Sequence, residues 1–213
     1  LAWEQQHLDV AVADLFGFHA LQLGLPELDS LRANRMPHRW VATESGSIGE
    51  DALALPRSAV ALHCDFDALP FASQSLDLVV LPHTLELSAD PHHVLREVER
   101  VLVPEGRVVI SGFNPNSLWG LRQSRARLAG RLGLQSLGWS DLYLPEAGDF
   151  IGPWRLRDWL RLLSFELESE RFGCYRPAVR SEKWLQRMAW MDKAGARSWP
   201  IFGSVYFFVA VKR

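Results

Sequence analysis

The chain has 213 residues, enough for one domain with a full core, and its 48% hydrophobic and 23% charged residues exclude a disordered or fibrous protein. A formal net charge of −2 excludes a global attraction to nucleic acid or to an anionic membrane, so such a partner would need a local basic patch. Two cysteines, Cys64 and Cys174, exclude a disulfide framework and a CxxC metal site; they read as buried thiols in a reducing cytoplasm.

No apolar run approaches the roughly 20 residues needed to span a bilayer, and the start lacks the basic-then-apolar pattern of a signal peptide. Because position 1 is Leu1 and not Met, the numbering is expected to omit a native N-terminal piece.

Along the chain, Leu8, Val12 and Leu15 recur at helical spacing, which predicts an amphipathic helix over 1–16 with Gly17 as its stop. A short alternating strand follows from Ala20 and ends at Gly24. Pro26 is then placed for the first turn of a helix, with Glu27 and Asp29 near its positive end. A second strand is predicted over Arg39–Thr43, ending at Glu44. The stretch Ser45–Pro56 reads as a loop, and Val60–Cys64 as a third strand closed by Asp65. Leu76–Leu81 is a nearly continuous apolar run, as in a strand buried on both faces of a parallel sheet.

Asp90 is a good N-cap and Pro91 a good first helical residue. Val94, Leu95, Val98, Val101 and Leu102 continue from them as one apolar stripe. Pro104-Glu105-Gly106 turns the chain into a fifth strand, Arg107–Ser111. Gly152-Pro153 starts another helix with Leu156, Trp159, Leu160 and Leu163 inward, before strands at Phe165–Phe172 and Val205–Val211. Alternation of this kind predicts a single α/β domain over 1–213. Its form is a Rossmann-like, doubly wound and mostly parallel sheet of about seven strands, with helices on both faces. Trp154, Trp159, Trp184 and Trp190 are expected to pack in the core or between helices.

In an open sheet of this type ligands bind beyond the carboxyl ends of the strands, where strand order reverses. That singles out Gly24, Glu44, Asp65, Leu81 to His83, and Gly112 to Asn116. His83 titrates near neutral pH and could serve as a general base or simply line a pocket. His83, His92 and His93 lack a metal-ligand spacing, so no metal is expected. Asn114 ends the fifth strand, where it could meet a substrate or form a turn with Pro115. Beyond it, 117–150 reads as a substrate-side insertion or lid. There Arg122, Arg125, Arg127 and Arg131 alternate with leucines as a solvated helix face, with weak membrane-surface contact as the alternative.

The run Cys64-Asp65-Phe66-Asp67-Ala68-Leu69-Pro70-Phe71 resembles the GD-x-x-x-LPF stretch of the type 11 methyltransferases, and Ser75-Leu76-Asp77-Leu78-Val79-Val80 resembles their fourth strand. Leu85-Glu86, Asp90-Pro91, Leu95-Arg96-Glu97, Arg100-Val101-Leu102 and Pro104-Glu105-Gly106-Arg107 follow at the family's spacings. The resemblance covers about 50 residues and implies the class I methyltransferase fold, whose seventh strand runs antiparallel, with S-adenosylmethionine as cofactor.

It implies that Asp65 accepts the adenine amine, that Phe66 covers the ring, and that Glu44 binds the ribose hydroxyls. Gly24 would let the backbone approach the cofactor, and Leu81, Pro82 and His83 would flank the methyl group. One departure stands out. The family's G-x-G-x-G loop is here Gly24-Leu25-Pro26-Glu27-Leu28, which keeps only the first glycine, loses a backbone donor at Pro26, and sets Glu27 near the expected methionine carboxylate. The leading expectation is a cytoplasmic methyltransferase acting on a small molecule. The rival is a catalytically inactive relative that binds a ligand or a protein. A nicotinamide-dependent dehydrogenase is disfavoured, since no G-x-G-x-x-G follows the first strand.

Overall fold

A computed structural model describes residues 2–44, 60–122, 150–176, 184, 187, 188 and 190–213. The strands β1 (His19–Leu23), β2 (His38–Thr43), β3 (Leu62–His63), β4 (Leu76–Pro82), β5 (Leu102–Phe113), β6 (Phe165–Gly173) and β7 (Val205–Lys212) form one seven-stranded sheet. Its order is β3-β2-β1-β4-β5-β7-β6. The pairs from β3 to β5 are parallel, and β7 runs antiparallel to both β5 and β6, as expected from the sequence. The helices are α1 (Ala2–Ala13), α2 (Thr84–Leu87), α3 (Pro91–Val101), α4 (Pro153–Leu162) and α5 (Trp190–Ser198).

Side chains alternate across each strand, so the sheet carries a separate core on each face. On one face Leu21, Leu23, Val79, Leu81, Val108, Ile110 and Phe208 pack with Val94, Leu95 and Val98 of α3 and Leu156 and Leu160 of α4. On the other, Ala20, Leu78, Val80, Val109, Phe207 and Val209 pack with Leu8 and Val12 of α1 and with Leu28, Leu31 and Met36. The predicted cap of α3 forms: the Asp90 carboxylate accepts the His93 N–H at 3.0 Å, with Pro91 as first helical residue.

Several expectations need correcting. No helix follows β1 at Pro26. The chain instead makes a β-turn, Leu25-Pro26-Glu27-Leu28, closed by the Leu28 N–H on the Leu25 carbonyl at 3.0 Å. Its cause is Gln22, a buried amide in an otherwise apolar strand. Its Nε2 lies within hydrogen-bond distance of the carbonyls of Gly24, Leu25 and Leu28, and its Oε1 accepts the Ser30 N–H at 3.0 Å, which pins the segment as a turn.

Gly17 is not the stop of α1, which ends at Ala13. Gly17 instead passes so close to Asp77 that an added Cβ would stand 2.5 Å from that side chain, whose carboxylate accepts the N–H groups of Phe18 and His19. β3 is shorter than predicted, and β5 starts earlier. Pairing jumps from Leu76–Leu102 to Leu78–Arg107, so Pro104-Glu105-Gly106 leaves the ladder as a bulge, with Glu105 at φ 63°.

Of the tryptophans expected inside, only Trp159 is buried. Trp154, Trp184 and Trp190 are more than half exposed, Trp154 and Trp184 lying under the guanidinium groups of Arg157 and Arg187. Cys64 is buried, but Cys174 only partly so. The loop expected at 45–56 and most of the 117–150 insertion, with Arg125, Arg127 and Arg131, lie outside the described residues. Arg122 is exposed on a helical turn at 118–122.

Candidate functional site

Strand order reverses between β1 and β4, and the parallel strands bring their carboxyl ends to one edge there. Gly24 follows β1 with φ 76°, in the left-handed region that glycine enters without strain, and Leu25 follows at φ 42°. A Cβ added at Gly24 would stand 3.3 Å from Thr84 Oγ1 and 3.7 Å from the Phe66 ring, so these three residues line one point of the crevice. The Thr84 hydroxyl donates to the carbonyl of Leu23, tying the start of α2 to the end of β1. Phe66 is buried, whereas Glu44, after β2, and Asp65, after β3, are exposed at neighbouring strand ends. Leu81 and Pro82 are buried at the end of β4.

His83 comes next, in the left-handed conformation with φ 53°. It is buried, and both ring nitrogens are engaged: Nδ1 pairs with Glu86 of α2 and Nε2 with Glu4 of α1. Burial by itself disfavours the charged imidazole, but the two carboxylates outweigh it and raise the His83 pKa to about 9. Burial likewise pushes Glu4 up, and the His83 partner more than reverses it, holding the Glu4 carboxyl below its ordinary range. At neutral pH His83 is therefore an imidazolium, held between Glu4 and Glu86. The second oxygen of Glu86 accepts the Phe113 N–H at 2.8 Å, which joins the group to the end of β5. The Phe113 ring lies 4.3 Å from the His83 ring, centre to centre.

With no nitrogen free, His83 is built to hold α1, α2 and β5 together, and proton abstraction from a substrate is not available to it in this arrangement. Asn114 is similarly engaged. Its amide donates to the carbonyls of Ile201 and Gly203, and its oxygen accepts the Asn116 N–H at 3.0 Å, so it fastens the approach to β7.

Glu4, Gln22, Thr84 and Glu86 were not anticipated as site residues. Signals for three of them were present. Glu4 is in helical phase with Leu8 and Val12, Gln22 interrupts an apolar strand, and Glu86 stands one turn beyond His83. Among the described residues no group of three or more histidine, cysteine or acidic side chains is placed to hold a metal ion.

Residues 44–110 match the sequence model of a methyltransferase domain, type 11. The chain is 34% identical over 169 residues to the uncharacterized protein YafS of Escherichia coli, covering 79% of this chain and 61% of that one. It is 38% identical over 64 residues to a malonyl-[acyl-carrier protein] O-methyltransferase of Halorhodospira halophila, covering 30% of this chain and 22% of that enzyme. The fold superposes with a TM-score of 0.65 on a methyltransferase of Haloferax volcanii solved in complex with the Trm112 activator, at 20% identity, covering 98% of this chain and 89% of that one.

Residues 44–110 thus carry a type 11 methyltransferase sequence signature, and the chain as a whole has the class I methyltransferase fold. It spans less than two thirds of the length of these two sequence relatives.

The family implies S-adenosylmethionine as cofactor. The chemistry at this edge suits the nucleoside half of that molecule: two exposed carboxylates, Glu44 and Asp65, end adjacent strands, and the aromatic Phe66 packs beside Gly24. It does not suit the amino-acid end. An anion at such a place is ordinarily held by free N–H groups at the start of a helix. Here the helix is missing, Pro26 has no N–H, and the N–H groups of Gly24, Leu28 and Ser30 are bonded to Ala42 O, Leu25 O and Gln22 Oε1, which leaves only those of Leu25 and Glu27 among the described residues of the turn.

Proposed function

We propose that the chain is a cytoplasmic S-adenosylmethionine-dependent methyltransferase acting on a small-molecule acceptor. The observation that carries this reading is the meeting of Gly24, Phe66 and Thr84 at the reversal point of a type 11 methyltransferase fold, with Glu44 and Asp65 on the adjoining strand ends. In this reading Asp65 accepts the adenine amine, Glu44 takes the ribose hydroxyls, and Phe66 lies along the ring. Bound cofactor supplies an electrophilic methyl group. Transfer from a sulfonium depends mainly on the position of the acceptor, so an engaged His83 is compatible with the reaction. Among the described residues no helix is long and apolar enough to cross a membrane.

A second reading, a non-catalytic relative that binds ligand or protein, is favoured by the missing helix after β1 and the closed hydrogen bonding of His83.

Calorimetric titration with S-adenosylmethionine and its demethylated product tests the first reading. The Asp65→Ala variant should bind about 1–3 kcal/mol more weakly, the cost of a lost charge-assisted hydrogen bond. Its melting temperature should be unchanged, because Asp65 is exposed. Equal affinity in a folded variant rules out Asp65 as the adenine ligand, and no binding by the native chain removes the methyltransferase reading itself.

A further inference from the structure

The misfit at the amino-acid end has a direction. Among the described residues, the stretches at Gly24 to Leu28, at Glu44 and from Asp65 to Asp67 carry the exposed Glu27, Glu44, Asp65 and Asp67 and no lysine or arginine. The turn after β1 presents the exposed Glu27 at its corner, and the only N–H groups it leaves without a partner are those of Leu25 and Glu27. A carboxylate brought to this turn meets another carboxylate and at most the two N–H donors of Leu25 and Glu27. An ammonium meets the opposite field.

We propose that the crevice selects its nucleoside ligand by the charge of the tail, preferring a sulfonium nucleoside whose tail ends in an ammonium alone over one that also carries a carboxylate. This rests on the nucleoside reading above and adds to it a ligand class: an aminopropyl sulfonium nucleoside in place of the aminocarboxypropyl one. Two partly exposed unit charges about 4 Å apart differ enough in energy to change affinity by about fivefold or more, and salt should erode that factor.

The test is calorimetry on the full chain with three probes: S-adenosylmethionine, its decarboxylated analogue, and methylthioadenosine, which lacks both the tail and the sulfonium charge. At low ionic strength the decarboxylated analogue should bind at least about fivefold more tightly than S-adenosylmethionine, and the gap should narrow in 0.5 M salt, taken as roughly five times the ionic strength of ordinary buffers. Glu27→Gln should shrink the gap by improving S-adenosylmethionine binding, with methylthioadenosine unchanged. Pro26→Gly, which returns a backbone donor, should move the same pair in the same direction. The comparison among ligands on the native chain needs no variant, so a poorly folding substitution does not weaken it. Tighter binding of S-adenosylmethionine than of the decarboxylated analogue overturns the inference and leaves the nucleoside reading intact. Equal binding of all three probes overturns it too, since the tail is then not read. No binding of any probe defeats the nucleoside reading and this inference with it.

Discussion

At the scale of single residues, the Glu4–His83–Glu86 group makes the clearest demand on solution behaviour. The His83 pKa is raised from 6.5 to about 9 by its two carboxylates. A group whose folded pKa is raised contributes stability that is fully present below its unfolded pKa and is lost as pH rises through the folded value. His83 should therefore stabilise the fold by about 3 kcal/mol at pH 6, and this contribution should disappear between pH 6.5 and about 9. Glu4, whose pKa is lowered, acts at the other end: its contribution is present above the unfolded value of 4.5 and is lost as pH falls through the folded one. Denaturant melts of the native chain and of His83→Gln across pH 6 to 10 check this. The native chain should lose stability over the upper part of that range, and the variant should be less stable at pH 6 with a flatter profile. Parallel profiles would mean that the three side chains are not paired in solution.

At the scale of elements, what could be read from the sequence depended on whether the deciding interaction was local. The cap of α3 is local: Asp90, Pro91 and the stripe from Val94 to Val101 all lie within four turns, and the helix forms where they place it. Asp90→Ala should cost about 1 kcal/mol, as other N-cap removals do, visible as a lower melting temperature without change in the shape of the transition. An unchanged melting temperature would show that the cap is not formed.

The segment after β1 is the opposite case. Pro26, Glu27 and Asp29 have the local chemistry of a helix start. The outcome was set by Gln22, whose amide faces the second core and collects three carbonyls and one N–H from the chain that follows. A polar residue in an apolar strand signals that something will be bonded, but not what. The same holds for His83. Its position at the end of β4 was legible, while its partner Glu4 lies 79 residues away on a helix that no spacing connects to it. For Trp154 and Trp184, hydrophobicity alone does not say that an arginine will cover the ring.

At the scale of the whole molecule, the two faces of the sheet are closed unequally. One face is covered by α3 and α4, each with its own buried stripe. On the other, among the described residues, the connection from β1 to β2 contributes Leu28, Leu31 and Met36 from turns, and α1 is the only helix in that core. Leu8 and Val12 are at most 1% exposed, the Asn34 amide donates to the Val12 carbonyl at 2.8 Å, and Glu4 reaches His83 at the crevice. By this reading α1 is part of the folding unit and is also coupled to the site. Leu8→Ala should then cost about 2–5 kcal/mol, as a fully buried leucine does when truncated, and should lower the single unfolding transition of the entire chain. The same variant should weaken binding at the crevice, because loosening α1 withdraws Glu4 from His83. A helix that was only an appendage would behave differently: Leu8→Ala would leave the main transition where it is and speed amide exchange in α1 alone. Hydrogen exchange followed residue by residue beside a thermal melt separates the two, and exchange confined to α1 with an unmoved melting temperature would defeat the reading.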